Sequence, residues 1–341
     1  MSAFPANVQH RENGFAWTAP IFVVGSTLSG TTLLYHMLLS SGSFACFFGE
    51  PAVFDLLVLK FGDLSVARNR ERLMHNWIGS RMRRASGHDE KFIRSKVFNE
   101  CRSNADFLRI LMQAVASSQG VQRWAVWGPD NLLYMRTIKA QMPDARFIHM
   151  IRDGRDVAIS MHKEDWIRPL PWDRSQRMLV AALHWLSKVN HGRKRGKRFA
   201  PDYLEVRFED LLAEREETLL RTSAFVGYDL NLDHLQKNPL GTLRVPIALS
   251  VLIRSKIVRW GVGEHSSPHT RLNCWNPCSA PRCLSWVMKV SKRELKTCGV
   301  ATRIGKAMYP VCFEAKLRCK GNAPPGRFVD TSWLRLEQQV S

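Results

Sequence analysis

The apolar positions along this chain form short continuous runs separated by longer stretches of helical spacing. Residues 21–24 (IFVV), 124–127 (WAVW) and 147–151 (FIHMI) are such runs, and residues 202–207 make a fourth strand candidate. Consecutive apolar, β-branched and aromatic positions suit strands buried on both faces of a parallel sheet. After the first run, Leu33, Leu34, Met37 and Leu38 recur at helical spacing and predict a helix starting near Ser29. Further helical stretches follow at 53–59, 132–142 and 211–226. Residues 64–120 read as mostly amphipathic helix, with polar joints at 86–90 and 103–104. Another helix begins near Ser175 and closes at the basic run 193–198, with Gly192 and Gly196 as breakers. Strands alternating with helices define an α/β class: a three-layer fold with a central parallel sheet flanked by helices.

The first strand leads into chemistry. Residues 21–34 read IFVVGSTLSGTTLL. A buried strand, a small-residue loop and a helix start in that order make an anion site. Loop amides converge there, and the positive end of the helix dipole points the same way. Gly25 and Gly30 have the spacing of a P-loop, so the fold is P-loop-like. Thr31, however, stands where that motif has the lysine that reaches the outer phosphates. This argues against an ATPase or a nucleotide kinase.

A second segment, residues 146–162, reads RFIHMIRDGRDVAISMH. Arg152 falls where its strand ends, Asp153 at the N-cap of the next helix, and Ser160 about two turns in. A guanidinium fork and a hydroxyl in this arrangement can hold a second phosphate. The alternative pairs Arg152 or Arg155 with the nearby aspartates as a solvated helix cap.

The two segments together resemble the bacterial-type sulfotransferases that use 3′-phosphoadenosine 5′-phosphosulfate (PAPS). The loop of that family, G-x-x-x-S-G-T-T-L, is matched by Gly25, Ser29, Gly30, Thr31, Thr32 and Leu33. The family's Arg and Ser eight residues apart are matched by Arg152 and Ser160. VRFEDLL at 206–212 resembles a third family segment, usually written with Tyr where Phe208 stands. The resemblance implies a P-loop-like α/β fold and a PAPS co-substrate. Gly25, Ser26, Thr27, Ser29, Gly30, Thr31 and Thr32 would cradle the 5′-phosphosulfate, and Arg152 and Ser160 would take the 3′-phosphate. It implies sulfuryl transfer to a hydroxyl or amine by in-line displacement, with no metal.

Two departures bear on activity. The residue before S-G-T-T is usually Arg or Lys in the family, and here it is Leu28. Relatives often carry a lysine in a W-G-x-K-T-P-like segment, and here residues 127–131 read WGPDN. A missing preorganised donor costs about 2.7–4 kcal/mol of barrier. Another cation substitutes, or activity is low, or the chain is a catalytically silent PAPS-binding relative. The acceptor needs a base to take its proton. Glu50, in FFGEP, resembles the catalytic glutamate of some branches; the competing reading is a surface-loop residue before Pro51. His36 reads as packing or surface, and His149, inside an apolar strand, as a satisfied core histidine.

Composition agrees with an enzyme of this kind. The chain has 341 residues, 45% hydrophobic and 23% charged, and its 50 Lys and Arg outnumber 30 Asp and Glu for a net charge of +20. Such a field attracts anions. The basic runs at 81–84 and 193–198 lack interleaved aromatics, so no nucleic-acid partner is expected. Cys46 and Cys101 are isolated, and the six late cysteines (274, 278, 283, 298, 312 and 319) lack paired zinc-ligand spacing. Residues 1–19 read as an irregular leader without an export signal, and no run reaches the ~18–20 apolar residues of a membrane span. A cytoplasmic protein is expected. Residues 20–330 read as one sulfotransferase-like α/β domain with a C-terminal extension from about 242. Within that extension, RSKIVRW at 254–260 reads as a solvated basic loop or, on the family resemblance, as a basic lid. The acceptor pocket would draw on residues 47–58 and the helices of 64–120, whose apolar content points to a partly apolar acceptor. Oligomeric state has no signature here.

Overall fold

A computed structural model of the chain describes residues 19–47, 49–80, 83, 86–87, 89–164, 177–230 and 309. The late cysteines, the 254–260 segment and most of the leader and C-terminal extension lie outside the described residues. Five strands build the sheet: β1 (Ile21–Gly25), β2 (Phe44–Ala45), β3 (Arg123–Trp127), β4 (Arg146–Ile151) and β5 (Tyr203–Arg207). Their order is β2-β3-β1-β4-β5, and every pairing is parallel. The chain runs from β1 out to β2, back to β3, and then across β1 to β4. The direction of winding therefore reverses at β1 and β4. A parallel sheet opens a crevice for ligands at the carboxyl ends of the strands where this happens.

The register of β1 explains its unbroken apolar run. Phe22 and Val24 face one apolar cluster, and Ile21 and Val23 face another. Successive side chains of a strand point to opposite faces, so a strand covered on both sides needs apolar residues at every position. One face is covered by α2 (Val58–Phe61), α3 (Ala67–Ile78), α4 (Glu90–Glu100), α5 (Asn104–Ser118) and α6 (Met135–Gln141). The other is covered by α1 (Thr31–Ser40), α9 (Phe208–Ala213) and α10 (Arg215–Val226). Near the carboxyl end of β4, α7 (Gly154–Lys163) and α8 (Arg177–Gly196) share a third cluster.

The central parallel sheet and its two helical layers agree with the reading of the sequence, while several boundaries move. The stretch read as one helix over 53–59 is a π-helical turn, Val53–Leu57, running into α2. The helix expected over 132–142 starts as a 3₁₀ turn, Pro129–Tyr134. That expected over 211–226 is two helices broken at Glu214. β2 was not expected. It has two residues and no periodicity to read, and the Gln119 side chain completes its edge. That amide accepts from Cys46 N at 2.7 Å and donates to Cys46 O at 2.9 Å.

Gly192 does not break α8, which continues to Gly196. It is a packing glycine. A Cβ there would lie 2.6 Å from both the His149 ring and the Leu132 side chain. Only a residue without a side chain lets α8 approach β4 this closely.

His149 is fully buried and joined to a short polar chain. Its Nδ1 lies 2.6 Å from the Tyr203 hydroxyl. That hydroxyl donates to Glu205 at 2.9 Å, and Arg193 Nε donates to the same carboxylate at 3.1 Å. Because Tyr203 gives its proton to Glu205, Nδ1 of His149 carries the hydrogen. Burial, and then the nearby Arg193 charge, draw the His149 pKa down to about 3. The unfolded chain binds a proton there from about pH 6.5 downward, and the folded chain does not until about pH 3. Stability is therefore complete above about pH 6.5 and falls as the pH drops toward the folded value. Between pH 7 and pH 5 this histidine is expected to remove roughly 2 kcal/mol. Urea unfolding at the two pH values should show a difference that shrinks by most of that amount in His149→Gln. An equal pH dependence in both proteins would refute the assignment.

Candidate functional site

The site lies at the carboxyl edge where the winding reverses. β1 ends at Gly25, and the chain turns through residues 26–30 into α1. The turn is closed by Ser29 N donating to Ser26 O at 3.2 Å. Leu28 has φ 64° and Gly30 φ 88°, so both occupy the left-handed region. Such a backbone costs a non-glycine residue about 1–2 kcal/mol. Gly30 is the N-cap of α1 and has no side chain with which to cap it, and the first turn of α1 carries no acidic residue. The first-turn amides thus have no side-chain cap, and the positive end of the helix dipole lies behind them, an arrangement receptive to an anion.

Three polar groups in this corner are buried without a hydrogen-bond partner among the described residues: Ser26 Oγ, Ser29 Oγ and Arg152 Nε. Buried polar atoms are nearly always paired. Two hydroxyls and a guanidinium N–H left open around an anion-receptive turn match the donor set an anionic ligand requires. Thr31 Oγ1 accepts from Trp127 Nε1 at 3.1 Å, which fixes its rotamer and leaves its own O–H to donate. Thr27 is half-buried in the turn, and Thr32 is exposed on the first turn of α1.

Arg152 follows directly after β4, and its side chain is 16% exposed. It donates from Nη1 to Leu28 O at 3.3 Å, and its guanidinium lies over the Phe208 ring at 4.7 Å. The Asp156 carboxylate stands 3.8 Å away. Trp185 of α8 donates to Arg152 O at 3.1 Å and holds the backbone. Its neighbour Arg155 makes a cap pair of the expected kind: it forks onto Asp153, the N-cap of α7, with Nε 2.9 and 3.0 Å from the two oxygens. Burial opposes ionisation of Asp153, yet hydrogen bonds from the Arg155 side chain and amide hold its carboxyl below the usual range. Ser160 lies on α7, half-buried, about two turns from the cap. The cradle and Arg152 are therefore brought together, and Ser160 shares the helix that Asp153 caps.

Phe208 has a role that the sequence did not disclose. A Cβ on Gly30 would sit 2.3 Å from its ring, so the phenyl packs directly on the N-cap of α1. The same ring is the platform for Arg152. Phe208 thus ties loop, arginine and β5 edge together through its ring. Leu28 is also explained: it packs against the apolar cluster of α7 and α8.

Glu50 lies in the loop after β2, half-buried. β2 is the edge strand, and β3 stands between it and β1. Glu50 therefore follows the carboxyl end of an edge strand that is two strands away from the one bearing the cradle. His36 sits on α1 with its ring 6.1 Å from Tyr35.

The fold and site define an α/β protein with an anion-receptive glycine turn at the switch point of a parallel sheet. A model of the sulfotransferase family matches residues 20–231, more than half of the chain, and the protein belongs to that family. Among solved structures it is similar to a sulfotransferase domain from the Synechococcus PCC 7002 olefin synthase, at 17% identity and a TM-score of 0.45, covering 80% of this chain and 95% of that one. A sulfotransferase domain from the curacin biosynthetic pathway is similar at 16% identity and a TM-score of 0.47, covering 80% and 98%. Sulfotransferase STF1 from Mycobacterium tuberculosis H37Rv is similar at 15% identity and a TM-score of 0.40, covering 73% and 78%. No curated protein matches the chain closely. Among the described residues no helix is long and apolar enough to cross a membrane.

The contact of Phe208 with Gly30 is testable. Gly30→Ala is expected to lose roughly 1–2 kcal/mol to the left-handed backbone and about 1–3 kcal/mol to overpacking. Adding Phe208→Ala should recover the overpacking part, so the two substitutions fall short of additivity by about 1 kcal/mol or more. Strictly additive costs in urea denaturation would show that the ring does not press on the N-cap.

Proposed function

We propose that this chain is a PAPS-dependent sulfotransferase that transfers a sulfuryl group to a hydroxyl, or less readily an amine. The observation that carries the reading is the set of buried donors around the turn that have no partner among the described residues: Ser26 Oγ, Ser29 Oγ and Arg152 Nε. Family membership makes a nucleotide sulfate donor the natural anion for them. Bound PAPS supplies the activated sulfuryl group. The turn amides and the hydroxyls of Ser26, Ser29, Thr31 and Thr32 hold its 5′-phosphosulfate, with Gly25 and Thr27 shaping the turn. Arg152 and Ser160 hold the 3′-phosphate, and the Phe208 ring beneath the guanidinium fixes its orientation. Glu50 takes the proton of the acceptor. The reaction runs in line, and positioning does most of the work.

A second reading is a catalytically silent PAPS-binding relative. Leu28 favours it, because its side chain packs into an apolar cluster where relatives place a cation. Both readings require the nucleotide site, and only the first requires turnover.

Calorimetric titration with adenosine 3′,5′-bisphosphate should give binding far tighter than with ATP. Arg152→Ala should weaken the bisphosphate by about 10- to 150-fold, the worth of a hydrogen bond to a charged group. Unchanged affinity would remove Arg152 from the 3′-phosphate. With PAPS and a panel of hydroxyl acceptors, Glu50→Gln should lower kcat by about 10²–10⁴-fold and leave bisphosphate affinity intact. Tight binding with no turnover on any acceptor would favour the silent relative.

A further inference from the structure

Lys188 is a lysine in the wrong place for a structural residue. It lies mid-helix on α8 and is 2% exposed, among the most deeply buried side chains of the protein. Burying an ammonium is costly unless it is paired. Its partner is Asp130, the fourth residue of the WGPDN segment, to which Lys188 Nζ donates. The Asp130 side chain is 40% exposed, so the pair is dry on the lysine side and open on the other.

Neighbouring contacts fix where the ammonium lies. Three residues earlier on α8, Trp185 donates to Arg152 O at the carboxyl end of β4. Four residues later, Gly192 packs against His149 inside β4. Residues three and four apart lie on one helix face, so Lys188 is on the sheet-facing side. It stands between these two levels, toward the carboxyl edge. Asp130 approaches from the same edge, in the 3₁₀ turn that follows β3. Gly128, two residues earlier, donates its N–H to Val23 O of β1 at 3.4 Å. The pair thus lies at the carboxyl edge where β3, β1 and β4 end, on the side where β1 runs into the cradle.

A primary ammonium has three donors, and among the described residues Asp130 is the acceptor for one. Leu28 supplies no charge in the turn, and the WGPDN segment has an aspartate where relatives carry lysine. We propose that Lys188, held by Asp130, is the cation on the 5′ side of the cradle, delivered from α8 rather than from the loop. This rests on the PAPS reading above. In the transfer, the acceptor oxygen forms a bond to sulfur as the bond from sulfur to the 5′-phosphate oxygen breaks. The bonding pair leaves with that phosphate oxygen, and the acceptor proton goes to Glu50. The products are the sulfated acceptor, adenosine 3′,5′-bisphosphate and one proton, with no redox change. Lys188 neutralises the charge that grows on the leaving phosphate oxygen, so its removal weakens ligands that carry a 5′-phosphate.

The test compares adenosine 3′,5′-bisphosphate with adenosine 3′-monophosphate by calorimetry on the full chain. Lys188→Met is expected to weaken the bisphosphate by about 10- to 100-fold and to leave the 3′-monophosphate unchanged. Arg152→Ala should weaken both. Should Lys188→Met fail to fold, Lys188→Met with Asp130→Leu removes both charges together and is read the same way. Equal losses for the two ligands would mean a structural role only, and no loss for either would place the ammonium away from the 5′ group; each overturns the proposal. Wild-type protein that binds neither ligand would overturn the PAPS reading itself, and this inference with it.

Discussion

The site depends on one close approach, the packing of Phe208 on Gly30. The N-cap of α1 is a glycine with no side chain of its own, and no side chain caps the first turn. That leaves a hole beside the helix start, and the phenyl ring from the end of β5 fills it. The same ring supports the Arg152 guanidinium, which in turn donates to the Leu28 carbonyl. Loop, arginine and ring therefore brace one another across β1, β4 and β5. Because the buried guanidinium is stacked and only loosely paired with Asp156, its Nε is left with an open donor. Packing that is complete around an unsatisfied group is what preorganisation means in a binding site.

Much of this was legible in the sequence, and for physical reasons. The strands announced themselves because both faces of a parallel sheet are buried, which forces apolar residues at consecutive positions. The glycine turn was legible because few residue types make it. Asp153 was read correctly as the N-cap of α7, since capping is a local interaction. What the sequence hid was anything that depends on residues far apart in the chain. Phe208 read as a tyrosine that had lost its hydroxyl, whereas its ring meets Gly30 and Arg152. Gly192 read as a helix breaker, although its role is to admit the His149 ring. β2 left no trace because two residues have no period, and its edge is completed by a glutamine seventy-three positions away.

The buried polar chain from His149 to Arg193 serves the same geometry from below. β4 carries a histidine in its middle, where an apolar residue would have been simpler. The imidazole is kept neutral by burial and Arg193 and is satisfied at Nδ1 by Tyr203. Its ring fills the space that Gly192 opens, which sets how close α8 lies to the sheet. The height of α8 then determines where Trp185 meets the backbone of Arg152. A core contact within β4 thus fixes the position of a phosphate-binding candidate at its end.

The placement of charge follows from these constraints. A cation at position 28 would have to leave the apolar cluster that Leu28 joins, and the left-handed backbone there already carries strain. Moving the cation to α8 removes that conflict, because Lys188 approaches from a rigid helix whose height is set by packing. It also changes how the charge is controlled. A loop cation moves with the loop, whereas Lys188 is held by Asp130 and its environment excludes water on one side. A fixed ammonium in a low-dielectric setting stabilises developing negative charge without reorganising when the charge appears. The cost is a buried ion pair that contributes little to folding, and the proposed role of the ammonium is what would offset it.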